Sequence, residues 1–232
     1  MNRSYRLGWH FFRCVFSTYF RWRHFHAERV PLEGPVILAG NHASFIDPPL
    51  IGSPIRRMIH FLARDTLFDV PVVGAILRAW QVVPLDREGG SGAGLKAIID
   101  RLIAGGAIVL FPEGTRTRDG RMQPVRSGLG LIVIKSRAPV VPVRVFGTFE
   151  AYGRQVCFPR PRRVMVKYGQ PLRFEALHAE AAGCSKPRLK QIYQQVADEV
   201  MAAIAALEPG FDRPSCAATP AVSAKGNEPC AL

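Results

Sequence analysis

Acidic residues are scarce in this sequence: 18 Asp and Glu stand against 31 Lys and Arg, a formal net charge of +13 over 232 residues. Such an excess draws anionic partners, whether a membrane surface, a nucleic acid or a phosphorylated substrate. It is also clustered. Residues 1–30 hold six arginines and one acid, and Ala151 to Phe174 carry Arg154, Arg160, Arg162, Arg163, Lys167 and Arg173 with no acid. Cysteine is sparse as well. The five thiols, at positions 14, 157, 184, 216 and 230, form no C-x-x-C pair, and their odd number and scatter predict free thiols in a reducing compartment. His24 and His26 have no third ligand nearby, so no metal site is expected. No apolar run is long and uncharged enough to span a bilayer. The nearest, Leu129 to Gly147, is broken by Lys135, Arg137, Pro139, Pro142 and Arg144. The first apolar run is aromatic and arginine-interrupted, so a cleavable signal peptide is not expected either.

What is present alternates between strand-like and helix-like segments. Val36–Ala39, Ile59–Ala63, Gln81–Leu85, Ala107–Phe111 and Val140–Phe146 read as strands, with Val164–Tyr168 an outer strand. Asp69–Trp80, Gly92–Ala104 behind Ser91, Leu129–Arg137, and a long segment from Ser185 and Pro187 to Leu207 read as helices. This order predicts an α/β fold: a single domain over 31–207 with a mainly parallel or mixed sheet flanked by helices. From Glu208 to residue 232 the chain is rich in Pro, Ala, Ser and Gly and reads as a disordered tail. Tyr5 to Phe25 interleaves nine aromatics with Arg6, Arg13, Arg21 and Arg23. Residues 1–30 are therefore expected to be an N-terminal amphipathic helical segment at a membrane interface. A helix packing its aromatic face onto the domain core is the alternative.

Asn41-His42-Ala43-Ser44-Phe45-Ile46-Asp47 follows the apolar strand Val36–Ala39. Five helical steps would carry Asp47 off the face of His42, so the two meet only if the segment turns. If they meet, a carboxylate on Nδ1–H orients the imidazole and leaves Nε2 as a general base. An Asp cap beside an incidental His would look the same in sequence. Phe111-Pro112-Glu113-Gly114-Thr115-Arg116-Thr117 follows a second apolar strand and offers a guanidinium fork beside a glycine, suited to a phosphate. Val83-Pro84-Leu85-Asp86-Arg87 delivers another arginine after a third strand. No G-x-S-x-G elbow is present, and Gly89 to Lys96 fails the P-loop pattern because Leu95 separates Gly94 from Lys96. Ser44 reads as a loop hydrogen-bonder. A base without a placed enzyme nucleophile suggests that the substrate supplies one, an alcohol attacking an acyl thioester.

Together the blocks N-H-x-x-x-x-D at 41–47, V-P-L-D-R at 83–87, F-P-E-G-T-R at 111–116 and V-P-V at 141–143 (Val141-Pro142-Val143) resemble those of the glycerophospholipid acyltransferase family, whose members include 1-acylglycerol-3-phosphate acyltransferases. Order and spacing agree over roughly residues 30–170. The resemblance implies His42 as base, Asp47 as its orienter, and Arg87, Glu113, Gly114, Thr115 and Arg116 as binders of a phosphorylated acceptor. It implies acyl-CoA or acyl-carrier protein as co-substrate, with no metal and no cofactor. Pro84, at a position often aromatic, and Thr117, where Ser is commoner, depart from the pattern. The expectation is an O-acyltransferase forming phosphatidate from a lysophosphatidate-like acceptor, peripheral or monotopic on the cytoplasmic face of a membrane. Rival acceptors are glycerol 3-phosphate, another lysophospholipid or a lyso-aminolipid. A non-catalytic basic protein binding membrane or nucleic acid is the rival class, and nucleic acid is not expected as a partner.

Overall fold

A computed structural model describes residues 2–85 and 92–212. In chain order the elements are α1 (Arg3–Thr18), β1 (Arg23–Phe25), β2 (Val36–Gly40), α2 (Asp47–Gly52), β3 (Ile59–His60), β4 (Leu62–Arg64), α3 (Pro71–Ala79) and β5 (Val83–Leu85). There follow α4 (Ala93–Ile103), β6 (Ala107–Leu110), α5 (Gly128–Ser136), β7 (Val140–Phe146), α6 (Thr148–Tyr152), β8 (Met165–Tyr168), α7 (Glu175–Ala181) and α8 (Lys186–Ala205). Six strands form one mixed sheet in the order β1-β8-β7-β2-β6-β3, in which β7–β8 is the antiparallel pair. The strand β2 lies between β6 and β7, parallel to both. Their C-terminal ends therefore open on one edge of the sheet, where sites form in such folds.

Side-chain alternation splits the core into two layers. Val36 and Leu38 of β2 point to the face covered by α1 and α2, joining Phe16, Phe20, Leu50 and Ile51. Ile37 and Ala39 point to the opposite face, packed by α4, α5 and α8 through Leu102, Val133, Ile192 and Val196. A strand buried on both faces reads as a continuous apolar run, which is what Val36–Ala39 is. Gly130 lets α5 approach α8 closely, since a Cβ there would lie 1.9 Å from the Tyr193 carbonyl oxygen.

Several expectations change. The stretch Ile59–Ala63 is two strands: β3 joins β6, and β4 leaves to pair with β5 in a separate two-stranded sheet. The segment 164–168 is not an outer strand, because β1 pairs beyond it. Its Lys167 is buried and meets Asp212 at 2.7 Å. Asp212 also binds Arg29, and Phe211 packs edge-on against Phe25, so these two residues dock on the domain although 208–232 reads as a tail.

The aromatic segment also departs from its expected form. Its helix ends at Thr18, and Arg23–Phe25 is a strand. Asn2 caps α1 by accepting the Tyr5 N–H at 2.8 Å. Tyr5, Phe16, Phe20 and Phe25 are buried, while Trp9 Nε1 donates to the Ile55 carbonyl at 3.0 Å and Arg13 to that of Ser53 at 3.0 Å. Most of the aromatic face thus packs on the domain core. On its outer side α1 leaves Leu7 and Phe11 exposed. Among the described residues no helix is long and apolar enough to cross a membrane.

Candidate active site

The chain leaves β2 at Gly40, turns through 43–46 and enters α2 at Asp47, with Pro48 and Pro49 in the first turn of that helix. The turn brings the pair together: His42 Nδ1 lies 2.9 Å from Asp47 Oδ2. The same oxygen accepts the Ala43 and Ser44 N–H groups, each at 2.6 Å. Asp47 is wholly buried, so one carboxylate fixes both the imidazole and the backbone that carries it. With Nδ1–H donated to Asp47, Nε2 is the nitrogen left to accept a proton. Ser44 Oγ donates to the Tyr152 carbonyl at 2.6 Å, the loop role read for it from sequence. Asn41 locks the turn to β7, accepting the Val145 N–H at 2.8 Å and donating to the Val145 carbonyl at 3.3 Å.

The loop after β6 embraces the first. Glu113 Oε1 accepts the His42 N–H at 2.9 Å, and Oε2 accepts the Gln123 N–H at 2.9 Å. Thr117 N–H donates to the His42 carbonyl at 2.8 Å. Both backbone groups of His42 are therefore held by this second loop. Burial pushes the Glu113 carboxyl above the usual glutamate range, while the two N–H groups pull it partly back. Phe111 stacks on the imidazole, centroids 3.9 Å apart and planes 14° from parallel. Gly114 sits at φ +70°, where a Cβ would also crowd the Arg126 side chain at 3.0 Å. The Arg116 guanidinium lies 3.4 Å above the Phe45 ring, which brings it to the histidine loop. Thr115 is half-exposed in the same turn. Arg87 lies outside the described residues; β5, which precedes it, pairs in register with β4 so that Leu85 stands opposite Arg64.

His42 lines a cavity of about 370 Å³ with an apolar wall from Leu62, Ile98, Leu110, Leu129 and Ile132 and with Arg64 and Arg126 contributing charge. A second cavity of about 200 Å³, walled by Tyr5, Trp9 and Phe12 of α1 and by Leu77 and Trp80, shares Pro48, Leu62 and Ala63 with the first. Sequence reasoning missed Arg64 and Arg126. Arg64 ends β4, and an arginine at a strand's C-terminal end is the signal by which Arg87 was picked out. Arg126 lies ten residues beyond Arg116 in the same loop and carries no local signal. Glu113, expected from the resemblance to bind the acceptor, has both oxygens accepting backbone N–H groups.

A histidine–carboxylate pair at the edge of a mixed α/β sheet, beside a cavity with apolar walls and two arginines, suits an acyl-transfer class of site. The chain belongs to the acyltransferase family, whose model matches residues 23–146. It is 34% identical over 116 residues to the chloroplastic 1-acyl-sn-glycerol-3-phosphate acyltransferase BAT2 of Brassica napus, covering 49% of this chain and 33% of that one. It is 29% identical over 124 residues to the 1-acyl-sn-glycerol-3-phosphate acyltransferase of Bacillus subtilis, covering 53% of this chain and 61% of that one. The matches thus span between about a third and three-fifths of these relatives' length. The crystal structure of the 1-acyl-sn-glycerophosphate acyltransferase PlsC of Thermotoga maritima shares the fold, with a TM-score of 0.68 at 24% identity over 88% of this chain and 81% of that one.

Proposed function

We propose that this chain moves a fatty acyl group from an acyl thioester, acyl-CoA or acyl-carrier protein, to the hydroxyl of 1-acylglycerol 3-phosphate, giving phosphatidate. The observation that carries this reading is the His42–Asp47 contact of 2.9 Å beside a cavity that combines apolar walls with arginines. His42 Nε2 takes the hydroxyl proton as the acceptor oxygen attacks the thioester carbonyl carbon. The C–O bond forms, the C–S bond breaks, and the imidazolium returns its proton to the departing thiolate. The imidazolium forms against the Asp47 carboxylate, which favours that charge. The thioester already carries an activated acyl group, so the sequence of steps calls on no cofactor.

Arg64, Arg116 and Arg126 supply forks for the acceptor phosphate, and Arg87 is assigned with them from the family pattern. The apolar wall and the adjoining cavity suit an acyl chain. Relatives named for this reaction support the acceptor's identity. A lipid acceptor and a water-soluble donor place the enzyme peripherally, on the cytoplasmic face of an anionic membrane. Purified protein given labelled acyl-CoA or acyl-carrier protein with a panel of lyso-acceptors should yield phosphatidate by mass spectrometry. Ester formation on none of the acceptors, or undiminished turnover by His42→Ala, would defeat the reading.

A further inference from the structure

The α1 aromatics read as membrane-facing are largely spent on the core, and the exposed apolar surface lies elsewhere. Leu67, Val70, Val72, Val73 and Ile76, on α3 and the turn before it, are 39–71% exposed within ten residues. An apolar cluster of this density at a surface marks an interaction site. At the N-terminal end of α1, Asn2 Nδ2 donates to the Ala79 carbonyl at 2.7 Å and Gly8 presses on Trp80, which fixes α3 to that end. At the other end, Tyr19 hydroxyl donates to the Pro159 carbonyl at 2.8 Å. Pro159 belongs to the loop 153–163, where Phe158 is 81% exposed and Arg154, Arg160, Arg162 and Arg163 are all exposed. The cleft at the base of this loop contains one carboxylate, Glu150, against three of the arginines. Between the two ends runs α1, a span of roughly 24 Å. Its outer side shows Arg3, Arg6, Leu7 and Phe11, and the helix contains no acid.

We infer that α3, the outer side of α1 and the loop 153–163 form one bilayer-contacting face, in which the α3 side chains enter the apolar layer and the loop arginines meet anionic headgroups. The occupant is a lipid surface because one end is apolar and the other is a cationic loop tipped by a ring, the two chemistries that a bilayer of anionic lipid stacks together. The face rests on the acyl-transfer reading only insofar as a lipid acceptor resides in a bilayer. The loop also joins the catalytic turn through a bridge between Ser44 and Gly153, so this contact would bring the histidine turn close to the membrane surface.

The test is sedimentation of the full chain with vesicles of phosphatidylcholine alone and with added phosphatidylglycerol. Arg160→Ala/Arg162→Ala/Arg163→Ala should weaken binding to the anionic vesicles about tenfold or more, with a shallower salt dependence, and change binding to neutral ones little. Val72→Asp/Ile76→Asp should weaken binding to both. These positions are exposed, so both variants should keep the parent's thermal midpoint and its turnover of a short-chain, monomeric lysophosphatidate. Wild-type vesicle binding by either variant overturns the proposal, as does an α3 variant that abolishes self-association of the chain instead of vesicle binding. Sedimentation is read without chemistry, so a failure of the acyl-transfer reading would leave this result standing.

Discussion

Asp47, after β2, and Glu113, after β6, are buried at neighbouring strand ends, yet they hold different parts of the same histidine. Asp47 binds the imidazole and the two residues that follow it. Glu113 binds the His42 backbone and ties it to Gln123. One carboxylate orients the imidazole, and the other fixes the chain from which that ring projects. The comparison shows that two buried carboxylates in neighbouring motifs can divide the work of holding one side chain, one on the ring and the other on the loop's backbone.

The most severe way to break this arrangement is His42→Ala, which removes the proposed base. It should lower kcat on the order of 10²–10⁴-fold with the circular dichroism spectrum unchanged. Asp47→Asn keeps the size but alters the partner of Nδ1, and turnover should fall roughly 10²-fold in steady-state assays. Glu113→Gln sharpens the contrast most directly. It places an amide where two N–H donors need acceptors, and should cost about 1–3 kcal/mol in denaturant unfolding. Its kcat should fall while KM for the acceptor holds. A rise confined to acceptor KM would instead make Glu113 a substrate ligand. Arg126→Ala should do the reverse, raising acceptor KM about tenfold at near-normal kcat and leaving thioester KM alone.

The smallest effect lies far from both loops. Lys167 and Arg29 hold the Asp212 carboxyl down at about 2, against an ordinary value of 3.8. A lowered carboxyl stabilises the fold above the ordinary value and loses that contribution as pH falls through the lowered one. Asp212→Asn should therefore lower Tm by about 1–3 °C at pH 7, because the cluster is partly exposed, and the deficit should shrink as pH falls from 3.8 and vanish below about 2.

The central strands were legible because both faces of β2 and β6 are buried, which forces uninterrupted apolar runs. The same holds for α8, whose single apolar stripe and Ser185 cap sit in plain sequence. β1 was not legible: its three residues pair with β8 through backbone groups, and their side chains continue an aromatic–arginine pattern that suited a helix. The His42–Asp47 meeting could be anticipated, since a turn and two prolines were all it required. The uses of Glu113 and Arg126 could not be, because they depend on the loop 111–126 folding back on its neighbour. Nor could periodicity decide which side of α1 faces the core; Gly8 against Trp80 and the Asn2 amide donating to the Ala79 carbonyl decide it.

The stacking of Phe111 on His42 bears on how this scaffold could change its preference. With one ring face covered and Nδ1 tethered, the imidazole has neither a free tilt nor a free flip, so it cannot follow a repositioned reactant. A bulkier or shorter alcohol has to be brought to a stationary nitrogen by reshaping the walls around Leu62, Ile98 and Ile132. In the proposed reaction, selectivity and proton transfer would fall to separate parts of the pocket, so the walls could drift while the imidazole stays where it is.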